Sequence, residues 1–162
     1  MTKRETEDIR RLQILDTAKR CIARQGYHQT TMDKIAEEAG LSKGALYWYF
    51  KSKDDILVDL CRLMNKEYIV IFHHFANQRM PVRELVLKTS ERLLDLMLKE
   101  SDSYKVFLEF WALSGENKEI KKALGEVHAA WEEILSYLIK SGIKSGEIKH
   151  GIKIKEFSSG IL

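Results

Sequence analysis

The chain has 162 residues, of which 44% are hydrophobic and 31% charged, and its net charge is +3 at pH 7. This length suffices for one good core, or for a small domain joined to a larger helical body. Only two cysteines occur, Cys21 and Cys61, which excludes a disulfide framework and a zinc site and predicts reduced, half-buried thiols. The polar start excludes a signal peptide, and no apolar run approaches the roughly 18 residues of a membrane span. We therefore expect a cytoplasmic protein without membrane partners.

The positive charge is concentrated near the start of the chain. Residues 1–53 contain 11 lysines and arginines against 7 acidic residues, whereas the remainder has 16 against 17. Such an excess is typical of a nucleic-acid-binding domain, and equally of a solvated basic face. The Arg10-Arg11 pair is a candidate contact to a DNA backbone. Apolar residues at intervals of three or four predict the first helix: Ile9, Leu12, Leu15, Ala18 and Ile22.

Two short helices joined by a tight turn come next. Thr31 is suited to cap a helix over residues 32–39, because its hydroxyl can accept hydrogen bonds from orphan backbone donors. Gly40 permits the left-handed backbone of a sharp turn, and Leu41 fills the angle between the helices. Ser42 is the predicted cap of the second helix.

The second helix has an inward and an outward face. Leu46 and Phe50, four residues apart, point inward, whereas Lys43, Gly44, Tyr47 and Trp48 point outward. A helical hairpin with Trp48, Tyr49 and Phe50 as buried filler is the structural alternative.

The outward residues carry chemistry suited to DNA. Lys43 and Lys53 can neutralise phosphates, and Tyr47 and Thr31 can donate hydrogen bonds to them. Gly44 and Ala45 allow the helix to approach closely, and Trp48 and Tyr49 can contact thymine methyls or sugars. The predicted DNA-binding residues are Thr31, Ser42, Lys43, Gly44, Ala45, Tyr47, Trp48, Tyr49 and Lys53.

This pattern resembles the TetR family of bacterial transcription regulators over roughly residues 9 to 60. The resemblance implies a three-helix DNA-binding head over residues 1–53, with residues 43–49 as the recognition helix and Thr31, Tyr47 and Lys53 as phosphate anchors. It also implies a helical effector-binding and dimerisation body over residues 54–162, and thus an all-α protein. The matching residues are Ile14-Leu15-Asp16-Thr17-Ala18, Gly26-Tyr27, Thr30-Thr31, Ile35-Ala36, Ala39-Gly40-Leu41-Ser42-Lys43-Gly44, Leu46-Tyr47, Tyr49-Phe50 and Ser52-Lys53.

The remaining sequence predicts further helices and no strands. A long helix should cover about residues 53–77, and another should begin near Pro81 and reach Lys99. Ser101 or Asp102 is the predicted cap of a segment over residues 104–114. A long amphipathic helix should begin at Lys118, with Gly142 and Gly146 as interruptions, and a final helix should cover residues 153–162.

Aromatic and thioether side chains are dense in these helices. Ordinary core packing explains them, and so does a cavity for a small-molecule effector. The predicted cavity residues are Met64, Met97, Phe107, Phe110, Trp111, His128 and Trp131.

The stretch from Phe107 to Ile148 also resembles the subgroup that includes choline-responsive repressors. That resemblance implies a cationic or lipophilic effector on Trp111 or Trp131, with Glu109 or Glu132 as countercharge. Fatty acyl thioesters and hydrophobic drugs are equally admissible.

The TetR resemblance implies a homodimer on a palindromic operator, with paired heads on two half-sites. The last two helices of the family form the dimer interface, and the short final segment suggests that the chain is truncated after Leu162.

Nothing in the sequence favours catalysis, a metal site or a cofactor. His73 and His74 are adjacent on a helix and diverge by about 100°, so they cannot share a metal ion. We therefore predict that the chain is no enzyme but a ligand-responsive regulator, most simply a repressor. The alternatives are an activator on the same scaffold, a helical small-molecule-binding protein and a helical adaptor.

Overall fold

The computed structural model describes residues 3–149. This part of the chain forms seven α-helices and no strand, which confirms the predicted all-α fold class. The helices are α1 (Lys3–Gln25), α2 (Met32–Glu38), α3 (Lys43–Tyr49), α4 (Lys53–Ala76), α5 (Val82–Lys99), α6 (Ser101–Leu113) and α7 (Lys118–Ser145). The final helix predicted over residues 153–162 lies outside the described residues.

The described residues up to Met64, together with Glu100–Ala123, form one compact unit, called here the first unit. In it α1 packs against both α2 and α6, and α2 packs against α3. Large side chains from all these helices, and from the start of α4, are withdrawn from water, which holds the short helices α2 and α3 in place. The largest fully buried apolar side chains are Ile14, Ile22, Ile35, Leu46, Phe50, Ile56, Leu57, Leu60, Val106, Phe110 and Ile120.

Asn65–Lys99 and the described residues from Leu124 onward form the second unit. Its core is the cluster of Phe72, Leu85 and Ile134, one residue each from α4, α5 and α7. The boundaries of these two units do not fall after Lys53. The division between a DNA-binding domain over residues 1–53 and a body over residues 54–162 therefore stays a prediction. The partly buried side chains packed against the cluster are Ile69, Phe75, Ala76, Met80, Trp131 and Leu138.

A distant carboxylate caps the start of α5. Glu147 accepts the backbone N–H groups of Val82 at 3.0 Å and Arg83 at 3.1 Å, and the Ser145 hydroxyl donates to it at 2.7 Å. Hydrogen bonds from Ser145, Val82 and Arg83 hold the pKa of Glu147 below its ordinary value. Because the N-terminus of a helix favours negative charge, this contact fixes the end of α7 to the start of α5.

The start and cap of α6 and the burial of the two cysteines differ from the predictions. The α6 helix begins at Ser101, and the residue before it, Glu100, makes no side-chain capping bond. Its carboxylate instead accepts the Ser103 hydroxyl at 2.9 Å and pairs with Lys19 at 3.3 Å. Both cysteines are buried rather than half-buried, and burial raises the pKa of the Cys61 thiol.

Gly142 does not interrupt α7, which runs through it to Ser145. A Cβ atom at Gly142 would lie 2.5 Å from the Cδ1 atom of Ile148, so this glycine allows a close approach within the second unit. Gly146, with a φ of 79°, follows the last helical residue and turns the chain.

Candidate nucleic-acid interface

The α3 helix presents the outward face that the sequence predicts. Ser42 caps it by accepting the Ala45 N–H at 3.2 Å, and Leu46 and Phe50 anchor it in the core. The four predicted outward residues are all exposed: Lys43, Gly44, Tyr47 and Trp48. The alternative, in which Trp48 is buried filler, is therefore wrong, because 65% of its surface is exposed.

The preceding helix and the turn are also built as expected. Thr31 caps α2, because its hydroxyl oxygen accepts a hydrogen bond from the Lys34 N–H at 3.2 Å, and Thr31 is exposed to solvent. Gly40 has a φ of 65°, and the Leu41 N–H donates to the Ala36 carbonyl at 2.9 Å. A side chain at position 40 would strain this left-handed turn. The turn therefore sets the angle between α2 and α3.

Gly44 and Gly125 are exposed glycines within helices. A Cβ atom at either position would meet nothing within 4 Å. Nothing in the described part of the fold requires a glycine at position 44, and glycine is a weak helix former. Its missing side chain leaves room on the outward face of α3.

Lys43 is held by an ion pair across the turn. Its ammonium lies 2.9 Å from a carboxylate oxygen of Asp33, and both side chains are exposed. The hydrogen bond and charge of Asp33 raise the pKa of Lys43. Exposed pairs of this kind stabilise a fold little, so the ammonium can exchange Asp33 for another anion at small cost.

Trp48 is supported by its neighbour. The rings of Trp48 and Tyr49 meet edge to face, with 4.6 Å between their centres and an angle of 85°. This arrangement is favourable for aromatic pairs. Tyr49 is half-buried, so one ring of the pair is anchored while the other projects into solvent.

Arg11 was a candidate contact to DNA, but its guanidinium binds inside the first unit. It donates to the Asp59 carboxylate of α4, with the shorter contact at 2.5 Å, and to the Tyr49 carbonyl at 3.0 Å. It also lies 4.2 Å from the centre of the Phe50 ring. Arg11 thus joins α1, the end of α3 and α4, whereas Arg10 is exposed.

Lys53 has a similar internal role at the start of α4. Its ammonium donates to the carbonyl oxygens of Tyr27 at 2.5 Å and Thr30 at 2.7 Å. It also lies 4.0 Å from the centre of the Tyr27 ring. Burial lowers the pKa of Lys53, against the opposing charges of Asp54 and Glu109. The predicted phosphate contact of Lys53 stays a prediction, and these partners compete with it.

A polar network that the sequence analysis missed continues from Tyr27. Its hydroxyl donates to one oxygen of Asp54, and the Asn117 amide donates to the other oxygen at 2.6 Å. The backbone N–H of Tyr27 donates to the Glu109 carboxylate at 3.4 Å. Burial, followed by the hydrogen bond to Asp54, raises the pKa of Tyr27. The turn before α2 is therefore tied to α4, α6 and the loop after α6.

The seven predicted effector residues fall in both units. In the first unit Met64 and Phe110 are buried, Phe107 is half-buried and Trp111 is 59% exposed. Met97, His128 and Trp131 are half-buried residues of the second unit. The effector site that these residues were predicted to form stays a prediction.

Each unit has a surface groove lined by other residues. A groove of about 370 Å³ in the first unit lies between α1 and α6, around Ile22, Gly26, Leu108 and Glu109. A cavity of about 300 Å³ in the second unit is lined by residues of α4 and α7 and by Asn77: Ile69, Phe72, His73, Ala76, Asn77, Ala130, Glu133, Ile134 and Tyr137.

Residues 3–149 contain neither a candidate membrane-spanning helix nor a candidate metal-binding cluster. None of their helices combines the length and apolar character that crossing a bilayer requires. Within the same residues, no three His, Cys, Asp or Glu side chains are grouped so as to hold a metal ion.

Comparison with known proteins identifies the same segment as the geometry does. The family model described as "Bacterial regulatory proteins, tetR family" matches residues 14–60, which include α2 and α3. The fatty acid metabolism regulator protein of Bacillus subtilis (strain 168) is 30% identical over 144 residues, which cover 89% of this chain and 73% of that protein. These proteins are transcriptional regulators and not enzymes, as predicted for this chain.

Two solved structures resemble the fold over most of its length. The regulator FadR from Bacillus subtilis in complex with stearoyl-CoA has a TM-score of 0.82 and 30% identity, covering 93% of this chain and 80% of that one. A putative transcriptional regulator from Saccharomonospora viridis in complex with choline has a TM-score of 0.74 and 28% identity, covering 93% and 78%.

Proposed function

The chain belongs to the TetR family of bacterial regulatory proteins, and within it we propose a ligand-responsive repressor that binds a palindromic operator as a homodimer. The exposed face of α3 is the main support for the proposed DNA binding. A capped helix, α3, exposes an amine, a phenol, an indole and a position without a side chain on one face. These groups supply phosphate contacts, apolar base contacts and room for close approach.

The proposed DNA contacts are those of the sequence analysis apart from Lys53, whose ammonium has internal partners. Thr31, Lys43 and Tyr47 contact phosphates, and Trp48 contacts a base or sugar. Trp48 is exposed, and its edge-to-face contact with Tyr49 favours one orientation of the indole before binding. Lys53 contacts phosphate only if it leaves the carbonyl oxygens of Tyr27 and Thr30.

A homodimer follows from the size of the site. One short helix buries little area on DNA, whereas two heads on half-sites about 34–36 Å apart multiply affinity and specificity. Light scattering of the protein at micromolar concentration tests this part. A dimer is the expected result, and a monodisperse monomer contradicts it.

For the effector we propose a long-chain fatty acyl-CoA. Support comes from the FadR regulator, which is 30% identical and was crystallised with stearoyl-CoA. An effector of this kind must bind the DNA-free state more tightly than the DNA-bound state, and operator DNA must weaken its binding by the same factor. Equal affinity for stearoyl-CoA with and without operator contradicts release by this ligand.

Choline is the second candidate effector, because a neighbour at 28% identity was solved with it. A quaternary ammonium binds aromatic faces, and Trp131 packs at the edge of the Phe72 cluster in the second unit. Glu109, proposed as countercharge, already accepts the Tyr27 N–H. Release of the protein from DNA by choline but not by stearoyl-CoA would favour this candidate.

The direct test is a gel-shift titration with the DNA upstream of the chain's own gene. Tyr47→Phe removes the exposed phenol of α3, and Tyr137→Phe does the same at a similarly exposed tyrosine of α7. We expect the first variant to bind more weakly, by a factor of roughly 25 to 100, because the dimer loses one phosphate hydrogen bond in each of its two heads, and the second to bind as the wild type. Equal loss in both variants contradicts the proposed interface.

A further inference from the structure

The outer side of α6 carries three large apolar side chains that are exposed to water. Tyr104, Leu108 and Trp111 are spaced by four and three residues, so they lie on one face of the helix, called here the α6 face. Their exposed fractions are 43%, 45% and 59%. Val106 and Phe110, on the other side of α6, are fully buried and hold the helix in the first unit. A contiguous exposed apolar surface of this kind is typical of an interaction site.

The two edges of the α6 face differ in chemistry. Lys105 and Glu109 line the groove between α1 and α6, so both lie along the edge that borders this groove. At 100° per residue, Tyr104 and Trp111 lie along the other edge, with Leu108 between the two edges. Lys105 comes three residues before Leu108, and Glu109 comes one residue after it. Opposite charges therefore flank the middle of the face along the helix axis.

We propose that the α6 face binds the α6 face of a second copy of the chain, with the two helices antiparallel about Leu108. The proposal rests on the homodimer proposed above and adds a contact to it. A two-fold axis beside Leu108 brings each edge of the face against the same edge of the partner. On one edge, Tyr104 of each copy lies against Trp111 of the other. On the groove edge, Lys105 of each copy lies near Glu109 of the other.

The charges favour a second copy in this orientation. A parallel pair would place Lys105 against Lys105 and Glu109 against Glu109, and like charges opposed across an interface are costly. The antiparallel pair has opposite charges on one edge and two aromatic contacts on the other, as interfaces commonly do. Lys105 lies 3.4 Å from Asp102 on its own helix, and both side chains are exposed, so it can exchange this partner at small cost.

The contact is too small to hold a dimer by itself. A stable interface buries about 800 Å² on each partner, far more than one face of a helix of 13 residues supplies. The α6 contact therefore acts within a dimer that other residues also hold together.

A contact at this place bears on DNA binding. Helix α6 packs on α1, α1 packs on α2, and α2 packs on α3, all within the first unit. Two α6 helices fixed against each other therefore fix the separation of the two α3 helices. The α6 contact thus helps to set the spacing of the half-sites that the dimer reads.

Cysteine cross-linking of the full chain tests this arrangement. In antiparallel helices whose axes are 8–10 Å apart, the two Cα atoms at position 108 are separated by about 5 Å, which suits a disulfide. Leu108→Cys, treated with the thiol oxidant diamide, should therefore run largely as a linked dimer on a non-reducing gel. The wild type should not, because Cys21 and Cys61 are buried.

Ser101→Cys is the matched control. Position 101 is also exposed on α6, but in the antiparallel pair the two copies of this residue are roughly 20 Å apart. This variant should not form a linked dimer. Equal cross-linking of Leu108→Cys and Ser101→Cys overturns the antiparallel contact, because it shows a parallel pair or random collision.

A charge reversal tests the groove edge in the Leu108→Cys background. Lys105→Glu replaces two opposite-charge contacts of the dimer with like charges and should slow cross-linking by roughly tenfold. Lys121→Glu makes the same change in net charge at an exposed residue of α7 and should leave the rate unchanged. Equal rates in the two variants overturn the pairing of Lys105 with Glu109.

Light scattering of the same samples separates failure of this contact from failure of the homodimer. A dimeric protein in which Leu108→Cys forms no disulfide overturns the α6 contact alone, and another segment of the chain then covers the face. A monomeric protein without cross-linking overturns the proposed homodimer together with this contact.

Discussion

The Lys53 ammonium lies 2.5 Å from the Tyr27 carbonyl oxygen and 4.0 Å from the centre of the Tyr27 ring. One residue thus joins the start of α4 to the turn before α2, and a second bond to the Thr30 carbonyl completes the contact. Helix α2 begins two residues after Thr30. The position of the two short helices therefore depends on a lysine that the sequence assigned to DNA.

Replacing Lys53 with methionine distinguishes the two roles. We expect the free energy of unfolding to fall by about 1 to 2 kcal/mol, because two charge-assisted hydrogen bonds are lost from a partly exposed group. Affinity for DNA should fall. A plot of the logarithm of the binding constant against the logarithm of the salt concentration should keep the slope of the wild type. Unchanged stability together with a slope reduced by about 2, one phosphate contact for each head of the dimer, would instead identify a phosphate contact.

Arg11 and Arg10 offer a matched pair of substitutions. Arg11→Met leaves the Asp59 carboxylate and the Tyr49 carbonyl without this donor, so urea unfolding should show a loss of about 1 to 2 kcal/mol. Arg10→Met, at the adjacent exposed residue, should stay within about 0.5 kcal/mol of the wild type. Similar losses in the two variants would contradict the internal role of Arg11.

Gly44 and Gly125 form a second matched pair, since both are helical and open to solvent. Either change to alanine should raise the free energy of unfolding by about 0.5 to 1 kcal/mol, because glycine is the weaker helix former. Only Gly44→Ala should weaken DNA binding, since the added methyl group would lie between α3 and the duplex. Gel-shift titration checks this, and unchanged affinity in Gly44→Ala would remove Gly44 from the interface.

Glu147 predicts a pH dependence of stability. Its pKa in the folded protein is lowered from the ordinary value of 4.5, so its contribution is complete above pH 4.5 and is lost as the pH falls through the lower folded value. Glu147→Gln should therefore be less stable than the wild type at pH 7, and the difference should shrink towards pH 3. Urea unfolding at both pH values measures it, with Glu132→Gln as an exposed control on α7. A difference that grows in acid would contradict the capping role.

The parts of the fold that depend on local sequence were predictable. Thr31 and Ser42 cap α2 and α3 as predicted, because a cap bonds to an N–H only three residues away. The turn at Gly40 and the buried positions Leu46 and Phe50 follow from equally local patterns. These features fix the α3 face, and its exposed residues were named from sequence.

The misses involve partners distant in sequence. Arg11 and Asp59 are 48 residues apart, and Asn117 and Asp54 are 63 apart, so no local pattern connects them. The sequence of a basic segment shows no internal partner for Arg11, and its predicted contact to DNA stays a prediction. Gly142 was misjudged for the same reason, since its role depends on the position of Ile148.

The measurement that tests the central claim most directly is fluorescence anisotropy with a labelled duplex from upstream of the chain's own gene, beside a shuffled duplex, at two salt concentrations. The account predicts tight binding to the native duplex alone, with the steep loss at higher salt that phosphate contacts cause. Tyr47→Phe should weaken that binding, and Tyr137→Phe should not. Equal, weak binding to both duplexes, unaffected by Tyr47→Phe, would contradict a sequence-reading role for α3 on this DNA.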